Sequence, residues 1–362
     1  MENLEKLDTK FFFKKKILVT GHTGFKGTWL TYSLVMLGAK VYGLSLPIDK
    51  KRNKLFTELG LDKNKKITNK YFDVSDYNKL TAYINKVRPE LIFHLAAQPL
   101  VLESFKKPYE TFYTNIIGTL NILEIFRNYK SIKSLMVITS DKVYKNSEKK
   151  KYFKEDDSLG GDDPYSSSKS CADLISLSYN YSFIADNINK GIATIRAGNV
   201  IGYGDYSPNR IFVDLFKSIK TKKIKIRNPK AVRPWQDITD ITRAYLQLSK
   251  KLFKEPLKYS GSWNFGPDKK NKDYNVDEIS RIFVENIKGI RIELKKNKDK
   301  KYDKLEKKVL KLDTDKSKSK LGFENNFNIK SSIEKNLKLS KDIMKKKEIE
   351  VFEKYLKENI LK

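Results

Sequence analysis

Apolar runs of strand length alternate with stretches whose apolar residues recur at helical spacing, and this alternation organises the chain from Ile17 to about Arg196. Ile17 to Thr20 reads as a strand entering three spaced glycines; the WLTYSLVML beyond them has helical periodicity and stops at Gly38. Further strands are expected at Lys40 to Leu46, Tyr71 to Val74, Leu91 to Leu95, Leu135 to Thr139 and Ile192 to Arg196. Helices are expected between them at Asp76 to Val87, at Thr111 to Tyr129 and from Tyr165 to about Tyr181. Strands and helices in strict alternation predict an α/β architecture with a parallel sheet covered on both faces. Beyond Asp205 the alternation weakens. Residues 273–330 read as a short helix, a charged connector and a final helix, and past about 331 the pattern is one lysine-rich amphipathic helix.

Gly21, Gly24 and Gly27 form a G-x-x-G-x-x-G between the first strand and the first helix. The first glycine suits the tight bend, the second lets backbone approach a pyrophosphate, the third lets helix and sheet pack, and the helix N-terminus faces the anion. The expected fold is therefore a Rossmann-type doubly wound parallel sheet: a dinucleotide-binding domain over 14–200 to which later segments return, a smaller C-terminal α/β substrate-binding domain over 201–335, and a basic helix over 336–362. Many such folds end the second strand on an acidic residue that holds the adenosine ribose. Here the position reads Ser45-Leu46, with Asp49 and then Lys51-Arg52 beyond, which leaves NAD and NADP both open. Asp73 has two readings, as a partner of the adenine amino group or as a helix N-cap with Ser75 and Asp76. Ala96-Ala97-Gln98 ends a strand on small residues, so a cofactor can lie close against backbone.

At 362 residues the chain has room for one large α/β domain and a smaller appended one. It contains no stretch of about 18 apolar residues, so no transmembrane helix is expected. The N-terminal MENLEKLDTKFFFKKK sets its apolar run before its charges and offers no cleavage site, unlike a signal peptide. Cys171 is the single cysteine, which excludes an intramolecular disulfide and suits a reducing cytoplasm. The net charge of +30 raises a nucleic-acid or membrane-surface role, but the excess is lysine spread along the chain, with only ten arginines. It reads as compositional drift on solvated faces. Lys149 to Lys151 and Lys295 to Lys301 are the candidate exceptions, and neither interleaves aromatics as a single-strand platform would. His22 and His94 are the two histidines; both read as structural, and with one cysteine they form no metal site.

Candidate chemistry gathers at strand carboxyl ends, where open parallel sheets meet their ligands. Ser140, Asp141 and Lys142 come directly after the strand ending at Thr139. Tyr165 and Lys169 lie four apart on a helix and share a face. A neighbouring ammonium stabilises a phenolate, so Tyr165 is expected to titrate below its usual value near 10 and to serve as a base. Arg210, Arg227, Arg233 and Arg243 crowd into one short region, and guanidinium forks match phosphate oxygens, so a substrate diphosphate is expected there.

Taken together, VTGHTGFKGTWL at 19–30, IFHLAAQPLV at 92–101, ITSDKVYKN at 138–146, DDPYSSSKSCADL at 162–174, RAGNVIGYGD at 196–205 and IRNPKAVRPWQ at 226–236 resemble the extended short-chain dehydrogenase/reductases that act on nucleotide sugars. Within that family the segments look most like those of the CDP-glucose 4,6-dehydratases. The resemblance covers roughly residues 14–335. It implies an NAD cofactor, NADP remaining open, held by Gly21, Thr23, Gly24, Phe25, Lys26 and Gly27 of the glycine turn. Asp73 and Val74, then Leu95, Ala96 and Ala97, and finally Tyr165 and Lys169 would complete the cofactor site. It implies Ser140, Asp141, Lys142, Tyr165 and Lys169 as catalytic residues, and Gln98, Asn199, Arg210, Arg227, Arg233 and Trp235 as substrate-binding ones. Tyr165 with Lys169 and Ser140 would take the proton of the sugar 4-hydroxyl. Asp141 matches the family's acid, and Lys142 stands where dTDP-glucose relatives have a glutamate base. The chain departs from the family pattern at Tyr203-Gly204-Asp205-Tyr206, where relatives tend to have Gly-Gly-Asp-Trp, and at Asp237; both are expected near the nucleotide. The partner expected is CDP-glucose, with no nucleic acid and no membrane, in a cytoplasmic homodimer or dimer of dimers built through the helices starting near Thr111 and Tyr165. Rival readings are an epimerase or a dehydratase for another nucleotide sugar, and a non-catalytic or RNA-binding protein on the same fold.

Overall fold

The computed structural model describes residues 9–148, 152–287, 289–294, 307–345 and 348–361. The two lysine runs singled out above, Lys149 to Lys151 and Lys295 to Lys301, lie outside them. Seven parallel strands form one sheet: β1 (Lys16–Thr20), β2 (Lys40–Ser45), β3 (Ile67–Tyr71), β4 (Leu91–His94), β5 (Ser134–Ile138), β6 (Gly191–Ala197) and β7 (Gly261–Phe265). Their spatial order is β7-β6-β5-β4-β1-β2-β3, with the direction of winding reversing between β1 and β4. Ile17 of β1 pairs with Val41 on one side and Leu91 on the other. Every residue of β4, β5 and β6 is buried, as a strand covered on both faces requires; β4 and β5 are therefore mostly apolar, while β6 also buries Thr194 and Arg196.

Two strands depart from expectation. The third is Ile67–Tyr71, not Tyr71 to Val74: as the sheet edge it is mostly exposed and polar, while Val74 turns into the core beyond it. β7 closes the opposite edge from far along the chain, and its five residues carry little periodic signal.

The principal helices are α1 (Phe25–Met36), α2 (Tyr77–Val87), α3 (Gly118–Asn128), α4 (Pro164–Tyr179), α5 (Ile238–Lys254), α6 (Ile329–Lys345) and α7 (Glu348–Asn359). Helices α2 and α3 bury Leu80, Ile84, Ile122 and Phe126 on one face of the sheet. On the other face, α1 and α5 pack Trp29, Leu30, Ile241 and Leu248 into a larger cluster. The helix expected from Thr111 to Tyr129 begins at Pro108 and is interrupted by one π-helical turn, Tyr113–Ile117, which carries Asn115. A third, separate cluster includes Phe212, Ile224, Trp235, Phe283 and Leu337.

The C-terminal region is two helices rather than the single one expected. Phe352 and Leu356 of α7, and Ile360 just beyond it, are buried in the same cluster as α1. The Phe352 ring lies 4.5 Å from that of Trp29, and Tyr32 donates to Glu353 Oε1 at 3.0 Å. Its lysines face outward while its apolar stripe clamps the helix that continues from the glycine turn.

One buried ion pair joins the sheet to α4. Arg196 on β6 donates through Nε and Nη2 to both carboxylate oxygens of Asp173 at 3.0 and 2.8 Å. Thr139 and Thr194 also donate to Asp173, and Arg196 reaches the Tyr144 hydroxyl and the Glu155 carbonyl. Removing one partner strands the other charge away from water, a loss that runs to about 3–5 kcal/mol. Arg196→Met is therefore expected to lower the free energy of unfolding by an amount on that order, read from urea titrations; a change below about 1 kcal/mol would show that the pair is dispensable.

Candidate active site

The glycine turn is built for a closely approaching ligand. Gly21 has φ +70, and a Cβ there would come within 2.7 Å of the Ala96 backbone nitrogen. A Cβ on Gly27 would collide with the Gly21 carbonyl oxygen. Gly24 is the N-cap of α1 and supplies no side-chain cap, so the first-turn N–H groups keep their capacity for an anion. With half-buried Ala96 and Ala97 at the end of β4, this cradle fits the pyrophosphate of a dinucleotide. Thr23 turns its hydroxyl to Ser45 Oγ at 3.1 Å. Phe25 packs against Gly202, and Leu95 lies against the same core. Val74 is buried against Gly118, so its side chain is packing rather than contact surface. Asp73 Oδ1 accepts from the backbone N–H and the hydroxyl of Ser75, at 2.9 and 2.7 Å. The cap of α2 is Asp76, which accepts from Lys79 N, so the capping reading passes from Asp73 to its neighbour. Asp49 is spent on the N–H groups of Lys51 and Arg52, leaving Ser45 as the polar group at the end of β2.

Beyond β5 the chain turns sharply through Asp141–Val143, bringing Ser140 and Asp141 beneath the start of α4. Helix α4 begins at Pro164 because Asp163 caps it, accepting from Ser166 N at 2.9 Å, and proline suits the first helical position. That cap, written Asp-Pro-Tyr in the sequence, aims the helix so that Tyr165 lies in its first turn over Ser140. Ser104 Oγ accepts from the Tyr165 N–H, and Asn115 of the π-helical turn donates to Ser168 Oγ at 2.8 Å, a support for α4 that spacing alone does not reveal.

Burial sets the protonation states. Asp141 is 3% exposed, and desolvation raises its carboxyl, against the lowering influence of Lys142, Ser140, Arg233 and Lys26. Its Oδ1 accepts from Ser140 Oγ at 3.0 Å; its Oδ2 is buried with no hydrogen-bond partner among the described residues. Lys169 donates to the Ile138 carbonyl at 2.7 Å, and burial, then Lys26, lower its ammonium to about 8. The expected lowering of the Tyr165 phenol is not found: burial raises it, Ser140 acts in the opposite sense, and Lys169 spends its proton on the strand carbonyl. Lys26 is itself lowered to about 8 by burial and by Arg210, and Asp141 and Asp205 oppose that shift. Its charge is thus felt by Arg210, Asp141 and Asp205 as well as within the glycine turn. The histidines are structural as expected: His22 bonds Asn69 at 2.8 Å, and His94 lies between Thr20 and Thr119.

The arginines do not form one cluster. Arg233 is buried, donates to the Val232 carbonyl at 2.8 Å and acts on Asp141. It lines a pocket together with Lys142, Ser166 and Lys307. Arg210 pairs with Asp205 at 3.1 Å and acts on both Tyr165 and Lys26. Arg227 donates to the Asn209 carbonyl just ahead of Arg210. Arg243 belongs elsewhere: on α5 it pairs with Asp240 and lies over Phe323. Trp235 is 3% exposed in the third buried cluster, with its N–H bonded to the Tyr274 carbonyl, so it packs behind Arg233 rather than facing outward. Gln98 spends its side chain on Leu100 and Thr111, which shapes its own loop. Asn199 accepts the Gln236 N–H on its backbone. Among the described residues no helix is long and apolar enough to cross a membrane, and no group of three metal-ligating side chains occurs.

A doubly wound sheet with a glycine cradle and a Tyr-x-x-x-Lys helix over Ser140 is the architecture of an extended short-chain dehydrogenase/reductase. The model of the family described as GDP-mannose 4,6 dehydratase matches residues 18–336, and the chain belongs to that family. A relative described as CDP-glucose 4,6-dehydratase, from Salmonella typhimurium, is 38% identical over 285 residues, covering 76% of this chain and 79% of its own. Solved structures share the fold. An epimerase from Methanothermobacter thermautotrophicus superposes with a TM-score of 0.78 at 21% identity, covering 94% of this chain and 96% of its own. A dTDP-glucose 4,6-dehydratase from Bacillus anthracis in complex with NAD gives 0.71 at 20%, covering 91% and 97%.

The lowered Lys169 has a consequence for stability. In the unfolded chain it stays protonated up to its ordinary 10.5, whereas the folded state releases the proton near about 8. Between those values the unfolded state binds more protons, so folding stability gains with rising pH, by up to about 1.4 kcal/mol per pH unit for this group. Lys169→Met lacks that dependence. The stability advantage of the variant over the native chain is expected to shrink steadily from pH 8 to 10.5, as measured by urea unfolding; a constant difference would show that Lys169 is not strained by burial.

Proposed function

We propose that the protein dehydrates CDP-D-glucose to CDP-4-dehydro-6-deoxy-D-glucose, releasing one water, as an NAD-dependent nucleotide-sugar 4,6-dehydratase. The observation that carries the reading is Asp141: a buried carboxyl, raised toward its protonated form, with one oxygen unpartnered, placed between Ser140 and Lys142 at the carboxyl end of β5. Carbonyl reduction or 4-epimerisation needs a group like Tyr165 and nothing more acidic. Removal of water across C5 and C6 needs both an acid and a base.

NAD, when bound in the glycine cradle, supplies a reversible hydride acceptor. Tyr165, assisted by Ser140, removes the proton of the 4-hydroxyl as that carbon becomes a ketone, and the buried Lys169 fixes the local charge. The ketone acidifies the proton on C5. Lys142, in its neutral form, takes that proton, and Asp141 gives its own to the C6 hydroxyl, which leaves as water. The unsaturated sugar that remains is reduced at C6 and reprotonated at C5, so oxidation and reduction cancel over the cycle. Arg233 and Arg210, which reach Asp141 and Tyr165 electrostatically, flank the sugar as ligands of its diphosphate. Support for cytidine comes from the 38% identical relative.

The enzyme is read as a homodimer in the cytoplasm. Tyr109 and Tyr113 lie on the helical stretch leading into α3, Leu174 on α4, and Tyr181 and Phe183 just beyond it; all are exposed large apolar side chains on the two segments expected to pair. Leu174→Glu is expected to yield monomers in sedimentation; an unchanged assembly would move the interface elsewhere.

Incubation with NAD and each of CDP-, dTDP-, GDP- and UDP-glucose is expected to give the 4-keto-6-deoxy product from the CDP sugar first; equal turnover of all four would remove the nucleotide assignment. In Lys142→Met, oxidation at C4 should persist while exchange of the C5 proton with deuterated solvent falls by about 10²- to 10⁴-fold. Unchanged exchange would sink Lys142 as the base.

A further inference from the structure

Helix α6 supplies no reacting group, yet one of its side chains grips a loop at the site. Asn336 is 1% exposed. Its Oδ1 accepts the backbone N–H of Tyr203 at 2.8 Å, while its Nδ2 donates to Asp237 Oδ2 at 3.0 Å and to the Ser332 carbonyl at 2.9 Å. The Tyr203 carbonyl in turn accepts from Trp29 Nε1 of α1 at 3.1 Å. The two peptide units that flank the Tyr203 Cα are thereby held from both sides, by α6 and by the helix of the glycine turn.

The residues after Tyr203 have little freedom to relax. Gly204 has φ +90, and its open Cβ position is closed by Leu55. Asp205 comes next, its carboxylate nearly buried and paired with Arg210. The Asp237 end of the link is equally committed: its Oδ1 caps α5 through the Thr239 N–H and hydroxyl, and its Oδ2 also accepts from Ser332. An asparagine meets the demand at position 336 because it offers an acceptor to Tyr203 and a donor to Asp237 at once. An aspartate would set two carboxylates against each other, and an alanine would leave the Tyr203 N–H without its partner.

We propose that Asn336 is a positioning residue of the nucleotide-sugar site: it fixes the loop from Tyr203 to Arg210 and, through Asp205, the guanidinium that receives the sugar diphosphate. The inference rests on the reading of Arg210 as a diphosphate ligand. Both departures from the family pattern, at Tyr203–Tyr206 and at Asp237, meet in this one amide. Helix α6, which carries no chemistry of its own, acts on substrate through them.

The test compares Asn336→Ala with Ser332→Ala, which removes a bond to Asp237 but leaves Tyr203 bonded. Hydrogen–deuterium exchange of ligand-free protein is read over peptides covering 202–210, and KM and kcat for CDP-glucose are measured beside NAD affinity and thermal midpoint. For Asn336→Ala, exchange at the loop is expected to rise about tenfold with α5 unchanged, and KM to rise about tenfold with kcat and NAD affinity within about twofold. Ser332→Ala is expected to leave KM within about twofold. A normal KM in Asn336→Ala, or a uniform rise in exchange with KM, kcat and NAD affinity failing together, would overturn the proposal. Should the native enzyme turn over no nucleotide hexose, the dehydratase reading fails, and the exchange at 202–210 alone decides whether Asn336 positions the loop.

Discussion

A guanidinium and a carboxylate buried against each other hold the helix of Tyr165 and Lys169 to the sheet. Arg196 rises from β6, Asp173 from α4, and neither reaches water. Their remaining hydrogen-bonding capacity is met by Thr139 just beyond β5, Thr194 on β6, Ser262 on β7 and the Tyr144 hydroxyl. Charges taken out of water are tolerated only when geometry satisfies them completely, so the pair permits few arrangements of α4 against β5 and β6. Asp173 lies one turn from Lys169 and two from Tyr165 on the same helix. The relation of those residues to Ser140 and Asp141 is inherited from that constraint.

The same withdrawal from water sets the chemistry. Burial raises Asp141 and lowers Lys169, pushing a carboxyl and an ammonium toward their neutral forms, while Arg233, Lys26 and Lys142 on one hand and Asp173 on the other oppose those shifts. Such a balance suits a site that must give and take protons near neutrality. Lys26 links the two halves, since it belongs to the cofactor turn by sequence and to the acid's surroundings by charge.

Much of this is legible in the residues. The central strands announce themselves because strands buried on both faces must be largely apolar, and the glycine turn because only residues without a Cβ fit where Gly21 meets Ala96 and Gly27 meets Gly21. Edge strands carry weaker signals, so the pattern displaces β3 and passes over β7. Phenol and ammonium four apart on a helix do share a face, but the Ile138 carbonyl competes for the ammonium, and a spacing rule contains no competitor. Trp235 is expected to bind substrate, but its ring joins a buried cluster with Phe212, Ile224 and Phe283, neighbours whose approach a local motif does not record.

By itself, then, the sequence determined the alternation of strand and helix, the cradle for a pyrophosphate, the family, and the short list of groups able to move protons. These depend on local pattern, which the order of residues contains. Only the tertiary structure decided which carboxyl is raised, which arginines act on Asp141 and Tyr165 and which pack elsewhere, and that the C-terminal helices clamp α1 and grip the Tyr203 loop. Those outcomes depend on burial and on partners remote in sequence, such as Asn336 and Tyr203, whose meeting is a property of the folded chain.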